Sequence, residues 1–523
     1  MTTPLTPTPS HRQFGRRALL AAAPAGVLGA AAASSAPAAA TQTAAVAGTH
    51  DALLPSAASM MRTIEHLVSI APRKTGTPGG RKAAEYVASR LRAAGMDKVW
   101  IEKSTSYSWE ATEASLVVGG QKIDQTPISY SLIGGPEATG VRTLGPQGLQ
   151  AEVVDLSQQP LSALSRLDVR GKIVMIDLIF LTPLLALSPL MEFLNDPSGE
   201  ILDAQTLLTA NPYITTLPYT IDALQAAGAA GMIGVLSDYF DSNKYHNEYY
   251  RRSPMEIPGM WITAGEAVRV RSLLDTEPTA TMRLTTRRRK VVARQPIGVI
   301  EGRTKDTIMV QSHHDSMGPG AVEDGSGTSE VLALAEYYGA LHRRGIRRDK
   351  TLMFTTFDTH FTGYQAHDHF GRKYVLDEET PYRIVANDTI EHIAKKGRVG
   401  PDGELLLLDE VEPRGFFEDL SIEGKSMIIQ TILRHDLRAT TMLNAQAMQP
   451  VGIPTDASWA VICGVPTVSL IAGPIYLYDE ADTIDAIAQD ELVPILKANR
   501  DIIDWFEQTP SERIGLVAVP PLT

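Results

Sequence analysis

The sequence predicts an α/β protein in which a mainly parallel sheet is sandwiched by helices and a smaller α/β domain is inserted into the chain. From about residue 295 to residue 506, apolar strands alternate with amphipathic helices, which is typical of a parallel sheet. Between about residues 144 and 285 the pattern changes to short apolar strands separated by glycine turns. The length of 523 residues exceeds one ordinary core, so we expect two or three globular units.

Residues 58–143 and 286–510 are expected to form one domain around the main sheet. The first part starts with an amphipathic helix at residues 60–68, followed by a second helix that stops at Gly95, since glycine is typical of helix ends. Residues 511–523 are expected to be a tail. The predicted strands of the second part are 307–311, 351–357, 384–390 and 466–471, and its helices are 328–341 and 491–506.

Three apolar segments with adjacent glycines support an inserted domain at residues 144–285. In chain order, 169–177, 226–235 and 257–262 resemble a protease-associated domain, and that resemblance implies a module lying over an active site. Residues 238–252 carry five aromatic residues with charges between them. This stretch fits either a substrate-facing loop or surface packing.

The composition excludes several classes of protein. Hydrophobic residues make up 44% of the chain and charged residues 21%, which is the balance of a folded protein and not of a disordered one. The formal net charge of -12 argues against nucleic acid as a partner, because phosphate binding needs a surplus of Lys and Arg. The basic run at residues 287–290 is interpreted as a solvated turn between domains.

The first 40 residues have the character of an export signal. Arg16 and Arg17 precede an Ala-rich apolar stretch that ends in small residues near Ala40. This order resembles a twin-arginine signal peptide, so we expect residues 1–40 to be removed on export and residues 41–57 to be a linker. A membrane anchor is disfavoured because the apolar run is shorter than the roughly 20 residues that a span needs. The expected location is the periplasm, the cell wall or the medium, with no stable membrane span in the mature chain.

Candidate site residues follow the predicted strands, where parallel sheets bind their ligands. Strand 307–311 runs into Ser312, His313, His314 and Asp315, and a glycine-rich acidic segment at 320–327 opens the next helix. With the segment 73–79 near the start of the chain, these motifs resemble the co-catalytic zinc exopeptidases of the aminopeptidase, carboxypeptidase Q and glutamate carboxypeptidase type.

The resemblance implies metal-site roles for several residues. His313 would be a metal ligand and Asp315 the carboxylate that orients it. The position of the bridging aspartate holds Glu323, so either the backbone adjusts to the longer side chain or Asp324 takes over. The strand 384–390 ends in Glu391, where the family has an Asp or Glu ligand.

Two family positions hold residues that cannot bind a metal. Where the family has a glutamate base followed by a glutamate ligand, this chain has His360 and Phe361. His360 can act as a base because the unperturbed pKa of histidine is about 6.5. Ala457 occupies the position of the last histidine ligand. Asp358 is a possible replacement carboxylate, and residues 367–369 form either a surface cluster or part of the cleft.

The sequence therefore predicts a centre with one divalent metal, expected to be zinc, and loss of the second family site. Its ligands would be His313, Glu323 or Asp324, and Glu391, with His360 moving the proton. The predicted function is an exported hydrolase of peptide or amide bonds, acting on a peptide or small amide. A non-catalytic binding protein and an amide transferase or cyclase on the same fold remain alternatives. The sequence makes no prediction about the oligomeric state.

Overall fold

A computed structural model describes residues 50–157, 159–181, 183–209, 211–247, 254–377 and 379–516. The predicted signal peptide and most of the predicted linker lie outside the described residues. The predicted fold class is confirmed, because a mixed sheet with a parallel centre is flanked by helices on both faces. Within the described ranges, no helix combines the length and the apolar character needed to cross a membrane.

The strands begin and end close to the predicted positions. The strand 307–311, for example, extends to residues 306–313, so that His313 is its last residue. The strands are β1 Lys98–Val118, β2 Gln121–Ile123, β3 Thr126–Pro127, β4 Gly140–Thr143, β5 Leu149–Asp155, β6 Ile173–Asp177, β7 Phe180–Leu181, β8 Met191–Asn195, β9 Asn211–Thr215, β10 Gly231–Leu236, β11 Gly259–Thr263, β12 Thr279–Ile300, β13 Asp306–His313, β14 Thr351–Phe357, β15 Arg383–Ile390, β16 Lys395–Val399, β17 Leu405–Val411, β18 Arg414–Glu418, β19 Thr440–Asn444 and β20 Thr467–Ala472.

The helices include both that were expected near the start of the chain. Thr77 caps the second of them at its N-terminus, and Gly95 ends it with a φ of 88°, which only glycine adopts readily. The α-helices are α1 Ala57–Ser69, α2 Pro78–Ala94, α3 Pro183–Leu187, α4 Ala204–Leu207, α5 Leu217–Ala226, α6 Ala264–Leu274, α7 Gly327–Arg343, α8 Gln365–Phe370, α9 Ile422–Arg434, α10 Ser458–Ile462 and α11 Leu492–Gln508.

The centre of the main sheet is parallel. Strands β14, β13, β15 and β20 lie side by side in that order and pair in parallel, while β12 and β18 flank them in antiparallel orientation. Helices α2, α7 and α11 pack on this sheet, and the rings of Phe370 and Trp459 pack on the opposite face, 5.3 Å apart. The carboxyl ends of the parallel strands therefore meet at one edge, where the polar residues of the predicted site follow.

A long antiparallel pair connects the main sheet to the strands of residues 144–285. Strand β1 pairs with β12 from Lys98 opposite Val299 to Val118 opposite Ala280. The basic run 287–290 lies inside β12, so its interpretation as a solvated turn is wrong. Arg288 in this run is buried, with its guanidinium 5.1 Å from the ring centre of Tyr107.

Within residues 144–285, four strands form a parallel part of the sheet that continues the main sheet. Strands β5, β6, β10 and β11 pair in parallel, and β5 also pairs with β12. At the far edge of the main sheet, β8 from the same range pairs with β19. In the stretch 238–252, Tyr239 and Tyr245 are buried against Phe180 and Phe240 is buried against Tyr239, so these rings serve packing. Tyr249 and Tyr250 lie outside the described residues.

Candidate metal centre

Strand β13 carries the first site residue, His313, at its carboxyl end. The imidazole is fully buried, and its Nδ1 lies 3.1 Å from the backbone oxygen of Asp315. Because a backbone oxygen can only accept a hydrogen bond, Nδ1 carries the proton and the lone pair lies on Nε2. The Asp315 carboxylate is farther away, at 3.5 Å from Nδ1. The Asp315 carboxylate was predicted to orient His313. The backbone oxygen of Asp315 provides most of this orientation instead.

A kinked turn before α7 presents Glu323 to His313. Both oxygens of the Asp482 carboxylate accept hydrogen bonds from this turn, from the amide of Val322 at 2.8 Å and from that of Glu323 at 2.9 Å. Gly320 opens the turn with a φ of 61°, and a Cβ there would lie 2.4 Å from the Glu323 backbone oxygen. The turn directs the carboxylate into the protein, with Oε1 at 3.1 Å from His313 Nε2.

A second imidazole comes from His392, two residues after the end of β15. Its φ of 60° lies in the left-handed region, so the chain turns sharply here. Nδ1 donates a hydrogen bond of 2.6 Å to the backbone oxygen of Ala472, which leaves the lone pair on Nε2. Nε2 contacts Oε2 of Glu323.

A third imidazole, His360, follows β14. Its Nδ1 lies 2.8 Å from Oδ1 of Asp456, and its Nε2 lies 3.2 Å from Oε1 of Glu323. The ring stacks on that of His313 with 4.1 Å between centroids. Three imidazoles thus surround a single carboxylate.

The atoms around Glu323 fit a metal ion. The ligand atoms of His313, Glu323 and His392 all lie within 4.8 Å of one another. Within the described part of the chain, the Nε2 atoms of both histidines and both carboxylate oxygens are buried, and their polar contacts are with imidazoles and the carboxylate of this same cluster. Buried polar atoms normally have partners outside such a cluster, so this arrangement indicates orientation toward a common point. Two imidazoles and a carboxylate are a donor set of catalytic zinc sites, and ligating histidines commonly donate their other N–H as these do.

The charges of the three groups depend on one another. Burial alone would lower the pKa of His392, but the adjacent Glu323 carboxylate raises it to about 9. Burial and the nearby His360 likewise lower the pKa of His313, and Glu323 raises it, to a net value well above the usual range. Burial would raise the pKa of Glu323, whereas His392 and His313 hold it below the usual range. A bound cation would take the place of the protons that the imidazoles otherwise hold.

The region that contains His313 and Glu323 matches a known family. Residues 296–391 match the family model of peptidase family M28. This segment is therefore similar in sequence to M28 peptidases. The resemblance to zinc exopeptidases that the motifs predicted is thereby confirmed. No curated protein sequence matches the chain.

Solved structures share the fold over nearly the whole described chain. A peptidase M28 precursor from Shewanella amazonensis SB2B is 19% identical, covers 91% of this chain and 99% of that chain, and has a TM-score of 0.65. A zinc aminopeptidase from Bacillus subtilis is 17% identical, covers 88% of this chain and 98% of that chain, and has a TM-score of 0.59. An aminopeptidase from Aneurinibacillus sp. strain AM-1, at 17% identity and a TM-score of 0.56, covers 91% and 98%. At these identities the likeness shows the fold.

Two residues predicted as ligands in the matched segment accept hydrogen bonds from other groups of the protein. The Asp324 carboxylate accepts hydrogen bonds from Ser312 Oγ at 2.5 Å and from the Gly327 amide at 2.9 Å. Glu391 accepts one through Oε1 from the amide of Asp456 at 3.1 Å, whereas its Oε2 is buried without a hydrogen bond among the described residues. The structure brings His313 and Glu323 together as predicted but includes neither Asp324 nor Glu391 in that group. Sequence reasoning missed His392, although a ligand-type residue directly after Glu391 was a visible signal.

A second group of ligand-type atoms comprises His313, His360 and Asp456. It shares His313 with the first group, and a single Nε2 lone pair binds one ion. In addition, His360 Nδ1 faces both Asp456 and the hydroxyl of Tyr364, which lies 3.1 Å from the same nitrogen. This side of the centre is therefore organised around a hydrogen bond between an imidazole and a carboxylate.

The positions expected to have lost ligands are apolar and buried. Phe361 is 3% exposed and Ala457 is fully buried. Asp358 accepts hydrogen bonds from Thr75 Oγ1 at 2.6 Å and from the backbone amide of Arg294 at 2.9 Å, so it does not replace them. In the cluster 367–369, His367 is buried with Nε2 at 3.3 Å from Oδ2 of Asp456, so this histidine does not lie on the surface.

Proposed function

We propose that the protein is an exported hydrolase of peptide or amide bonds that uses one metal ion, with zinc as the expected metal. The observation that carries this proposal is the convergence of buried, otherwise unpartnered ligand atoms from His313, Glu323 and His392. The match of residues 296–391 to M28 peptidases supports the reaction class. The shared use of His313 by both groups supports a single ion.

Zinc bound by these three residues would supply a Lewis acid that polarises the scissile carbonyl group and makes water more acidic. The Nδ1 hydrogen bonds hold the two imidazoles in place, and Asp482 holds the turn that carries Glu323. Because these side chains are at most 3% exposed, bulk water is largely excluded and charges interact strongly.

His360 is positioned to move the proton during hydrolysis. Its Nε2 lies beside Glu323 and 3.4 Å from the hydroxyl of Tyr478, and its Nδ1 is held by Asp456. With Nδ1–H donated to the carboxylate, Nε2 can accept a proton from the attacking water. It can then deliver that proton to the leaving amine, while Asp456 stabilises the imidazolium.

Metal content and hydrolysis test this proposal together. Native protein is expected to contain about one equivalent of zinc by mass spectrometry and to hydrolyse members of a panel of aminoacyl amides and short peptides. Chelation should abolish hydrolysis, and added zinc should restore it. His313→Ala should lose both metal and activity. Native protein without metal, or hydrolysis that survives His313→Ala, would refute the proposed centre.

We also propose that residues 1–40 direct export by the twin-arginine route, on the motif of Arg16 and Arg17 followed by an apolar stretch. Residues 1–57 fused to a folded reporter should carry it across the membrane. Lys at both arginine positions should leave the reporter inside the cell. Export that continues through the double substitution would contradict the route.

A further inference from the structure

The carboxylate of Asp456 contacts two imidazoles. Its Oδ1 lies 2.8 Å from Nδ1 of His360, the residue proposed to move the proton, and its Oδ2 lies 3.3 Å from Nε2 of His367. Asp456 and His367 are fully buried, and His360 is 4% exposed. The proposed function uses the first of these imidazoles and gives no role to the second.

The ring of His367, which belongs to α8, is held by aromatic packing. It stacks on Phe357, the last residue of β14, with 4.0 Å between ring centroids and 12° between ring planes. Its centroid also lies 4.6 Å from that of Tyr364. Close packing on buried rings restricts the orientation of the imidazole, so Nε2 stays directed toward Asp456.

The two facing atoms, Nε2 of His367 and Oδ2 of Asp456, have no other polar partner in the described part of the chain. Neither nitrogen of the His367 ring makes a hydrogen bond there, and Oδ2 makes none either. Buried polar atoms rarely stay unpaired. A distance of 3.3 Å is slightly beyond the usual N–H···O range of about 2.7 to 3.2 Å, so a small rotation of either side chain closes the bond. Because a carboxylate oxygen only accepts, Nε2 would carry the proton.

The carboxylate of Asp456 needs support because a second group competes for His360. The hydroxyl of Tyr364 lies 3.1 Å from the same Nδ1, and this nitrogen has one proton to donate. The backbone amide of Asp456 is held by Oε1 of Glu391 at 3.1 Å, but that hydrogen bond does not fix the rotation of the side chain. A donor at Oδ2 fixes the rotation and keeps Oδ1 at His360.

We propose that His367 is a positioning residue for proton transfer, which donates its Nε2–H to Oδ2 of Asp456 and thereby holds Oδ1 against Nδ1 of His360. The proton of His360 then stays on Nδ1, and its Nε2 keeps the lone pair that accepts a proton from water. This inference rests on the proposed function, because it explains how the residue that moves the proton is oriented there.

Substitution of the ring separates its polar role from its packing. His367→Phe keeps an aromatic ring beside Phe357 but removes the N–H, so kcat should fall by about tenfold to a hundredfold, with KM and zinc content unchanged. His367→Gln keeps an N–H donor and should recover most of this loss. His369→Phe makes the same substitution in the same helix, at a histidine that is 38% exposed, and should behave like wild type.

A double-mutant cycle tests whether His367 acts through Asp456. In the background of Asp456→Ala, the change His367→Phe should alter kcat by less than about twofold, because the group that it positions is gone. An equal loss of kcat in both backgrounds would overturn the positioning role. So would an unchanged kcat in His367→Phe alone.

A spectroscopic measurement separates failure of this inference from failure of the proposed function. In NMR spectra of native protein with isotope-labelled histidine, the Nδ1–H of His360 should give a downfield proton resonance, assigned by its loss in His360→Gln. It should weaken or move upfield in His367→Phe and persist in His369→Phe. An unchanged resonance in His367→Phe overturns the inference even if peptides are cleaved. A changed resonance in a protein that hydrolyses no substrate supports the inference and refutes the hydrolase. If a thermal melt shows that His367→Phe is unfolded, His367→Leu takes its place.

Discussion

His392 and His360 contact different oxygens of the Glu323 carboxylate, yet their second nitrogens have different partners. Nδ1 of His392 donates to a backbone oxygen, that of Ala472, whereas Nδ1 of His360 faces the carboxylate of Asp456. A neutral carbonyl fixes a tautomer but adds little stability to an imidazolium, while a carboxylate stabilises it strongly. The comparison teaches that one side of the centre is suited to hold a metal and the other to carry a proton.

Removal of His392 should have the largest effect on zinc binding and hydrolysis. His392→Ala takes away one of three ligand atoms, so we expect zinc to fall from about one equivalent to below about 0.2 and hydrolysis to fall at least about a thousandfold. Metal analysis and initial rates measure both. His369→Ala is the control, since that histidine is 38% exposed and lies 3.2 Å from Glu102. Full metal content in His392→Ala would assign the ligand role elsewhere.

Replacement of His360 should impair proton transfer without impairing zinc binding. His360→Gln keeps hydrogen-bonding groups but cannot shuttle a proton at neutral pH, so kcat should fall by about a hundredfold to ten-thousandfold. KM and zinc content should change little, because the residue is not among the three ligands. Loss of zinc in this variant would show that His360 binds the metal, and the contrast with His392 would no longer hold.

The smallest effect is expected at Glu330, a buried acid without imidazole partners, and it concerns the stability of the fold. Both carboxyl oxygens of Glu330 in α7 are buried without a hydrogen bond among the described residues, and burial, followed by the charge of Asp388, raises the pKa well above its usual range. The proton is therefore retained in the folded protein after the unfolded chain has lost it. The stability that this group contributes is complete below the pKa of the unfolded chain and is lost as the pH rises through the folded value.

Glu330→Gln should remove this pH dependence. Near pH 7 the free energy of unfolding should rise by about 1 to 2 kcal/mol, because an amide stays neutral where the acid must hold its proton. Denaturant titrations at about pH 5 and pH 8 measure it, with the exposed Glu301→Gln as control. Equal losses of stability with pH in wild type and Glu330→Gln would contradict the assignment and remove the contrast with Glu323, whose charge is balanced by histidines.

Much of the fold and part of the site could be predicted from the sequence. Alternation of strands and helices predicts where parallel strands end, and this locates His313 and the turn of Glu323. The position of His392 could not be predicted, because the left-handed φ of that residue, and not the strand pattern, decides whether it or Glu391 faces Glu323. The pairing of His360 with Asp456 spans 96 positions of the chain and depends on tertiary packing. The same holds for the burial of Arg288, whose charge alone predicted exposure.

The most direct measurement of the central claim is anomalous X-ray diffraction at the zinc edge from crystals of zinc-loaded protein. We predict one peak per chain, at bonding distance from Nε2 of His313, the carboxylate of Glu323 and Nε2 of His392, about 2.0 to 2.2 Å from each. A peak bound by His360 and Asp456, two peaks per chain, or no peak near Glu323 would contradict the account.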